Sequence, residues 1–154
     1  MTISIESASP DSAPAQELLR ALHSEQVGMY GHADPAEASA GEFTPPRGVF
    51  LIAYLQSVPV GCGGIRTLDP GVAEVRKMFV HPAQRGTGIG RIILAKLEEF
   101  AADPEMIGAV RIRLETGIHN TSAIGLYDSS GYKDIDSYVP GRTAVNVARE
   151  KRIK

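Results

Sequence analysis

Glu74-Val75-Arg76-Lys77-Met78-Phe79-Val80-His81-Pro82-Ala83-Gln84-Arg85-Gly86-Thr87-Gly88-Ile89-Gly90 is the run on which the reading of the fold turns. Its first half, with Val72 and Ala73 ahead of it, reads as a strand that ends at His81-Pro82. Proline lacks a ladder donor and biases its predecessor towards an extended conformation. Its second half opens a helix over residues 87–102, with Ile89, Ile92, Ile93, Leu97 and Phe100 on one side and Arg91, Lys96, Glu98 and Glu99 on the other. The glycine-rich turn between them has the makings of a phosphate cradle. Amides at a helix N-terminus have no intrahelical partner and point outwards with the positive end of the dipole, while glycines let a pyrophosphate approach the backbone. Arg85 and Arg91 add charge.

Upstream of this run, residues 49–55 and 58–68 are apolar stretches joined by Gln56-Ser57, which reads as a hairpin. Residues 2–7 alternate like a first strand, and Asp11 can cap a helix to Val27, with Leu18, Leu19 and Leu22 inward and Gly28 as its stop. Residues 30–47 lack periodicity and read as a loop with room for a short helix, a candidate lid. Downstream, Val110, Ile112 and Leu114 alternate with Arg111, Arg113 and Glu115 as a strand, residues 120–130 are helical, and Gly131 stops them. Two more strands, over residues 132–136 and 143–150, close the chain. The order predicts one α/β domain over residues 1–154, three-layered, with a mixed central sheet flanked by helices.

Composition narrows the function. The chain has 154 residues, 43% of them hydrophobic, a net charge of −2 and a pI of about 6.1. No basic stripe favours nucleic acid. No apolar run approaches the roughly 20 residues that span a bilayer, and the start lacks the pattern of a signal peptide, so a cytoplasmic location is expected. Cys62 is the only cysteine and sits among apolar neighbours, as a small core residue does. The four histidines are scattered, so no metal is expected.

Two familiar phosphate motifs fail on the turn. The dinucleotide pattern needs glycine or alanine where Arg91 stands, and the Walker pattern lacks its lysine and hydroxyl pair. What fits is R-x-x-G-x-G, as Arg85, Gly88 and Gly90. Further on comes Asn120-Thr121-Ser122-Ala123-Ile124-Gly125-Leu126-Tyr127 and then Gly131-Tyr132, similar to N-x-x-A-x-x-L-Y followed by G-F or G-Y. In these two motifs, in this order, the chain resembles the GNAT superfamily of acyl-CoA N-acyltransferases, most clearly over residues 49–132.

The resemblance implies an N-acetyltransferase that uses acetyl-CoA, in a domain whose central sheet splays apart. It implies that Arg85, Gly86, Thr87, Gly88, Ile89, Gly90 and Arg91 hold the pyrophosphate. Met78, Phe79 and Val80 would lie beside the pantetheine arm, with the Val80 amide as oxyanion donor. Tyr127 is implied as the group that protonates or hydrogen-bonds the departing thiolate, and Glu74 as the base for the acceptor amine. Asn120 reads equally as a helix N-cap and as a coenzyme contact. The acceptor is a small-molecule or peptide amine, and a homodimer is left open. Acceptor contacts are sought among Tyr30, His32, Asp34, Glu37, Glu42, Asp134, Asp136, Tyr138 and Arg142. The alternative is a catalytically silent sensor that binds acetyl-CoA; a nucleotide-dependent enzyme is disfavoured by the failed motifs.

Overall fold

The computed structural model describes residues 2–141 and 145–154. Seven strands form one mixed sheet in the order β1-β2-β3-β4-β5-β7-β6. In chain order, β1 (Ile3–Ser7) precedes α1 (Ala13–Tyr30). The strands β2 (Gly48–Leu55), β3 (Val58–Asp69) and β4 (Val72–Val80) lead to α2 (Ile89–Ala102), and β5 (Arg111–Gly117), α3 (Thr121–Ser129), β6 (Lys133–Ile135) and β7 (Asn146–Arg152) complete it.

The sheet is covered on both faces, which is why β2 is apolar without interruption. Side chains alternate along a strand. Phe50 and Ile52 therefore join Leu18, Leu19 and Leu22 of α1 on one face, while Val49, Leu51 and Ala53 join Ile93, Leu94 and Leu97 of α2 on the other. Tyr127 of α3 packs with the α2 layer. The β2–β3 hairpin turns through Gln56 and Ser57, both at positive φ (50° and 67°), the pair of left-handed conformations that a two-residue connection needs.

Four details differ from the sequence reading. Helix α1 does not stop at Gly28 but runs to Tyr30. Gly31, at φ 79°, is the left-handed cap, and its amide donates to Val27 O at 2.8 Å. The N-cap is Ser12 rather than Asp11. On α2, Ile92 is 40% exposed and Leu94 takes the buried place, because the stripe through Ile89, Ile93 and Leu97 steps four residues at a time. Beyond Tyr30, residues 31–47 contain turns and no helix.

One feature of the sheet makes the site. β4 and β5 are parallel neighbours only over Val72–Arg111, Ala73–Ile112 and Glu74–Arg113. Beyond Glu74, β4 runs on to Val80 and β5 to Gly117 without pairing, so the sheet splays. On its other edge β4 stays paired with β3, through a bulge in which Lys77 and Met78 oppose Gly63 and Lys77 takes φ 61°.

Candidate active site

The splay opens a cavity of about 360 Å³ between β4 (Val75, Arg76, Lys77, Met78) and β5 (Glu115, Thr116, Gly117), roofed by α1 and the loop after it. A second cavity of about 450 Å³ lies against the glycine-rich turn and α3. Both are lined by Glu25, Met78, Asn120, Ala123 and Tyr127. The molecule thus holds two chambers with a common wall.

The turn chamber brings together Met78, Phe79, Val80, Arg85, Gly86, Gly88, Ile89, Gly90, Arg91, Asn120 and Tyr127 of the residues singled out in the sequence. Gly86 and Gly88 have φ of 82° and 92°, a conformation that side chains rarely adopt, and Gly88 is the N-cap of α2. The first intrahelical bond runs from Ile92 N–H to Gly88 O at 3.1 Å, so the amides of Ile89, Gly90 and Arg91 precede the ladder. Gly90 lets α2 approach α3: a Cβ there would stand 3.3 Å from Leu126 Cδ2. Thr87 donates its hydroxyl to Gln84 O at 2.6 Å and stiffens the turn.

Side-chain geometry assigns more than the motif did. Arg85 donates Nε to Val80 O (2.9 Å) and Nη2 to Glu25 Oε2 (2.5 Å), and its guanidinium lies 5.8 Å from the centre of the Phe79 ring. Arg91 donates to Ser129 Oγ at 2.8 Å. Asn120 is the N-cap of α3 and accepts from the Ala123 amide at 3.3 Å, while also lining both chambers. The His81 amide donates to Val60 O on β3, so alternation along the strand turns the Val80 amide to the opposite edge, towards the splay. Tyr127 is 4% exposed, and burial pushes its phenol well above the usual range.

Glu74 lies elsewhere. It is 2% exposed and lines neither chamber. One oxygen accepts from Arg66 Nε (3.0 Å) and Nη2 (2.8 Å), the other from the Tyr138 hydroxyl (2.6 Å). Arg66 also pairs with Glu42, so Glu42 and Tyr138 belong to this closed cluster. Asp134 pairs with Arg149, Glu37 and Asp136 are exposed, and Arg142 lies outside the described residues. Tyr30, His32 and Asp34 do line the splay chamber. Tyr30 stacks on His119 and accepts from its amide at 3.0 Å, closing the end of β5. Burial pushes the Cys62 thiol up to about 12, and it donates to Lys77 O, an inert core position. Among the described residues, no group of three or more His, Cys, Asp or Glu could hold a metal ion, and no helix is long and apolar enough to cross a membrane.

The sequence reading missed Glu25 and Glu115. A signal for Glu25 was present: it follows Leu18 and Leu22 on the inward stripe of α1, where a charge needs a reason. Glu115 sits on a strand whose alternation hid it, because the splay converts a flank position into a chamber wall.

The model of the acetyltransferase (GNAT) family matches residues 15–132. The chain belongs to the GNAT family. An IAA acetyltransferase from Azospirillum brasilense is 32% identical over 133 residues, covering 83% of this GNAT chain and 85% of its own. The chain spans 27% to 59% of three longer curated relatives. A solved structure from Klebsiella pneumoniae, described as an acyl-CoA N-acyltransferase, has a TM-score of 0.81 at 28% identity and covers 98% of this chain and 97% of its own. The PaiA N-acetyltransferase of Thermoplasma acidophilum, solved in complex with coenzyme A, shares the fold. Its TM-score is 0.76 at 19% identity, over 99% of this chain and 100% of its own. This GNAT chain is therefore an acyltransferase built on a splayed mixed sheet.

Proposed function

We propose that the chain moves an acetyl group from acetyl-CoA to a primary amine of a small molecule or peptide, by direct attack within a ternary complex. The observation that carries this reading is the common wall of the two chambers: a thioester entering from the turn side and an amine entering from the splay meet beside Tyr127. Coenzyme A in a GNAT-fold neighbour supports the choice of donor.

In this reading, residues 85–91 hold the pyrophosphate, with the amides ahead of Ile92 as donors. Met78, Phe79 and Val80 flank the pantetheine arm, and the Val80 amide donates to the thioester oxygen as negative charge grows there. The amine lone pair forms the new C–N bond, the C–S bond breaks, and its electron pair leaves with sulfur. Tyr127 donates to that sulfur. Burial disfavours its phenolate, so the hydroxyl stays protonated and stands as a hydrogen-bond donor to the departing sulfur.

The amine must lose a proton before it attacks. With both oxygens held by Arg66 and Tyr138, Glu74 would act on that proton only through an intervening water, whereas Asp34 and Glu115 line the splay chamber itself and are the carboxylates assigned to take it. Thermal-shift titration tests the donor. Acetyl-CoA at about a hundredfold excess over its Kd should raise Tm by roughly 5 to 10 °C, while NAD and ATP should leave it unchanged. Stabilisation by NAD but not by acetyl-CoA would overturn the reading.

A further inference from the structure

Among the described residues, Glu25 is the carboxylate that lines both chambers. It sits on the inward stripe of α1, and its partner Arg85 is tethered at three points: to Glu25, to the carbonyl of Val80, and over the ring of Phe79. One guanidinium therefore touches the glycine turn, the end of the central strand and a wall of the splay chamber. It also has two anionic claims on it, since a pyrophosphate at residues 86–90 meets the same side chain. A pyrophosphate offers several oxygens for a bidentate pairing with the guanidinium, whereas Glu25 holds it through Nη2 alone. The pair that would be exchanged is one part-buried contact, between side chains 31% and 21% exposed, which the incoming phosphates have to match.

We infer that Glu25 is the acceptor-site carboxylate that receives the amine as an ammonium, and that a pyrophosphate at the glycine turn releases it by drawing off Arg85. The inference rests on the acetyl-CoA reading above. It makes Glu25 the link by which the donor prepares the acceptor chamber: once the coenzyme has taken the arginine, the Glu25 carboxylate is turned over to the amine. The exchange moves no proton and breaks no covalent bond. It swaps one partner of Arg85 for another and leaves the Glu25 carboxylate to the splay chamber.

The distinguishing test is Glu25→Gln, which keeps the shape and removes the charge. Isothermal titration should show acetyl-CoA binding about twofold to fivefold tighter than in the wild type, because Arg85 no longer has to leave a carboxylate. The KM for the best amine of a panel should rise about tenfold with kcat within about twofold, the pattern of a lost binding charge. Glu25→Asp, which retains the charge, should recover most of the amine KM. A gain in one ligand with a loss in the other cannot come from a damaged fold, and Glu25→Ala repeats the coenzyme comparison. Unchanged or weaker acetyl-CoA binding in both variants, or an unchanged amine KM, overturns the inference. A wild-type protein that binds no acetyl-CoA at all overturns the underlying reading instead.

Discussion

The two chambers are built in opposite ways. The turn chamber is made chiefly of two local segments, residues 78–91 and 120–129, and the first of them offers backbone: a strand end, two glycines at positive φ and the first amides of α2. The splay chamber is made of side chains that α1, the loop after it, β4, β5 and α3 bring together from distant parts of the chain. A donor handle that is the same for every reaction asks only for amides in a fixed arc. An acceptor that differs between enzymes asks for side chains that can change without disturbing that arc. The shared wall at Met78, Asn120, Ala123 and Tyr127 is where the two demands have to agree.

The comparison breaks first at the wall. Tyr127→Phe should lower kcat by about 10²-fold while leaving acetyl-CoA affinity within about twofold. The raised phenol adds a pH signature. Because burial disfavours the phenolate, the hydroxyl remains a donor through the alkaline range, so the wild-type kcat profile should carry no falling limb from Tyr127 below about pH 10. Unchanged turnover in the phenylalanine variant would remove Tyr127 from the reaction.

A crossed pair of glycine substitutions separates the halves. Gly88→Val forces a β-branched residue to φ 92° at the N-cap of α2 and should weaken acetyl-CoA binding by about tenfold, with the amine KM little changed. On the other side, a Cβ on Gly117 would overlap the Tyr30 hydroxyl, and displacing that ring should release its contacts with His119. Gly117→Ala should therefore raise the amine KM about threefold to tenfold and leave acetyl-CoA affinity intact. Equal effects of both substitutions on both ligands would mean that the chambers are one.

The contrast also explains what was legible beforehand. The hairpin at Gln56-Ser57, the strand ending at Val80 and the turn into α2 are local matters of alternation, proline and glycine, and the structure has them where the residues place them. The burial of Leu18, Leu19 and Leu22 follows from period alone. What was not legible depends on contacts between distant residues. Gly28 looked like a helix stop, but Gly31 supplies the cap and the extra turn carries Tyr30 to the end of β5. Glu74 was read as the base for the acceptor amine, and nothing local to its strand announced that Arg66 from β3 and Tyr138 from near the C-terminus enclose it. Arg85 read as a pyrophosphate ligand, and nothing local to its motif announced Glu25, sixty residues earlier on α1.

Release of coenzyme A thiol, followed through the first turnover with and without amine, tests the central claim most directly. Direct attack across the common wall predicts thiol release only when an accepted amine is present, in amounts that follow the amine, with no acetylated protein in its absence. A stoichiometric burst of thiol without amine would mean that the acetyl group passes through the protein. Saturable acetyl-CoA binding with no thiol release over a broad amine panel would mean that the chambers meet without reacting.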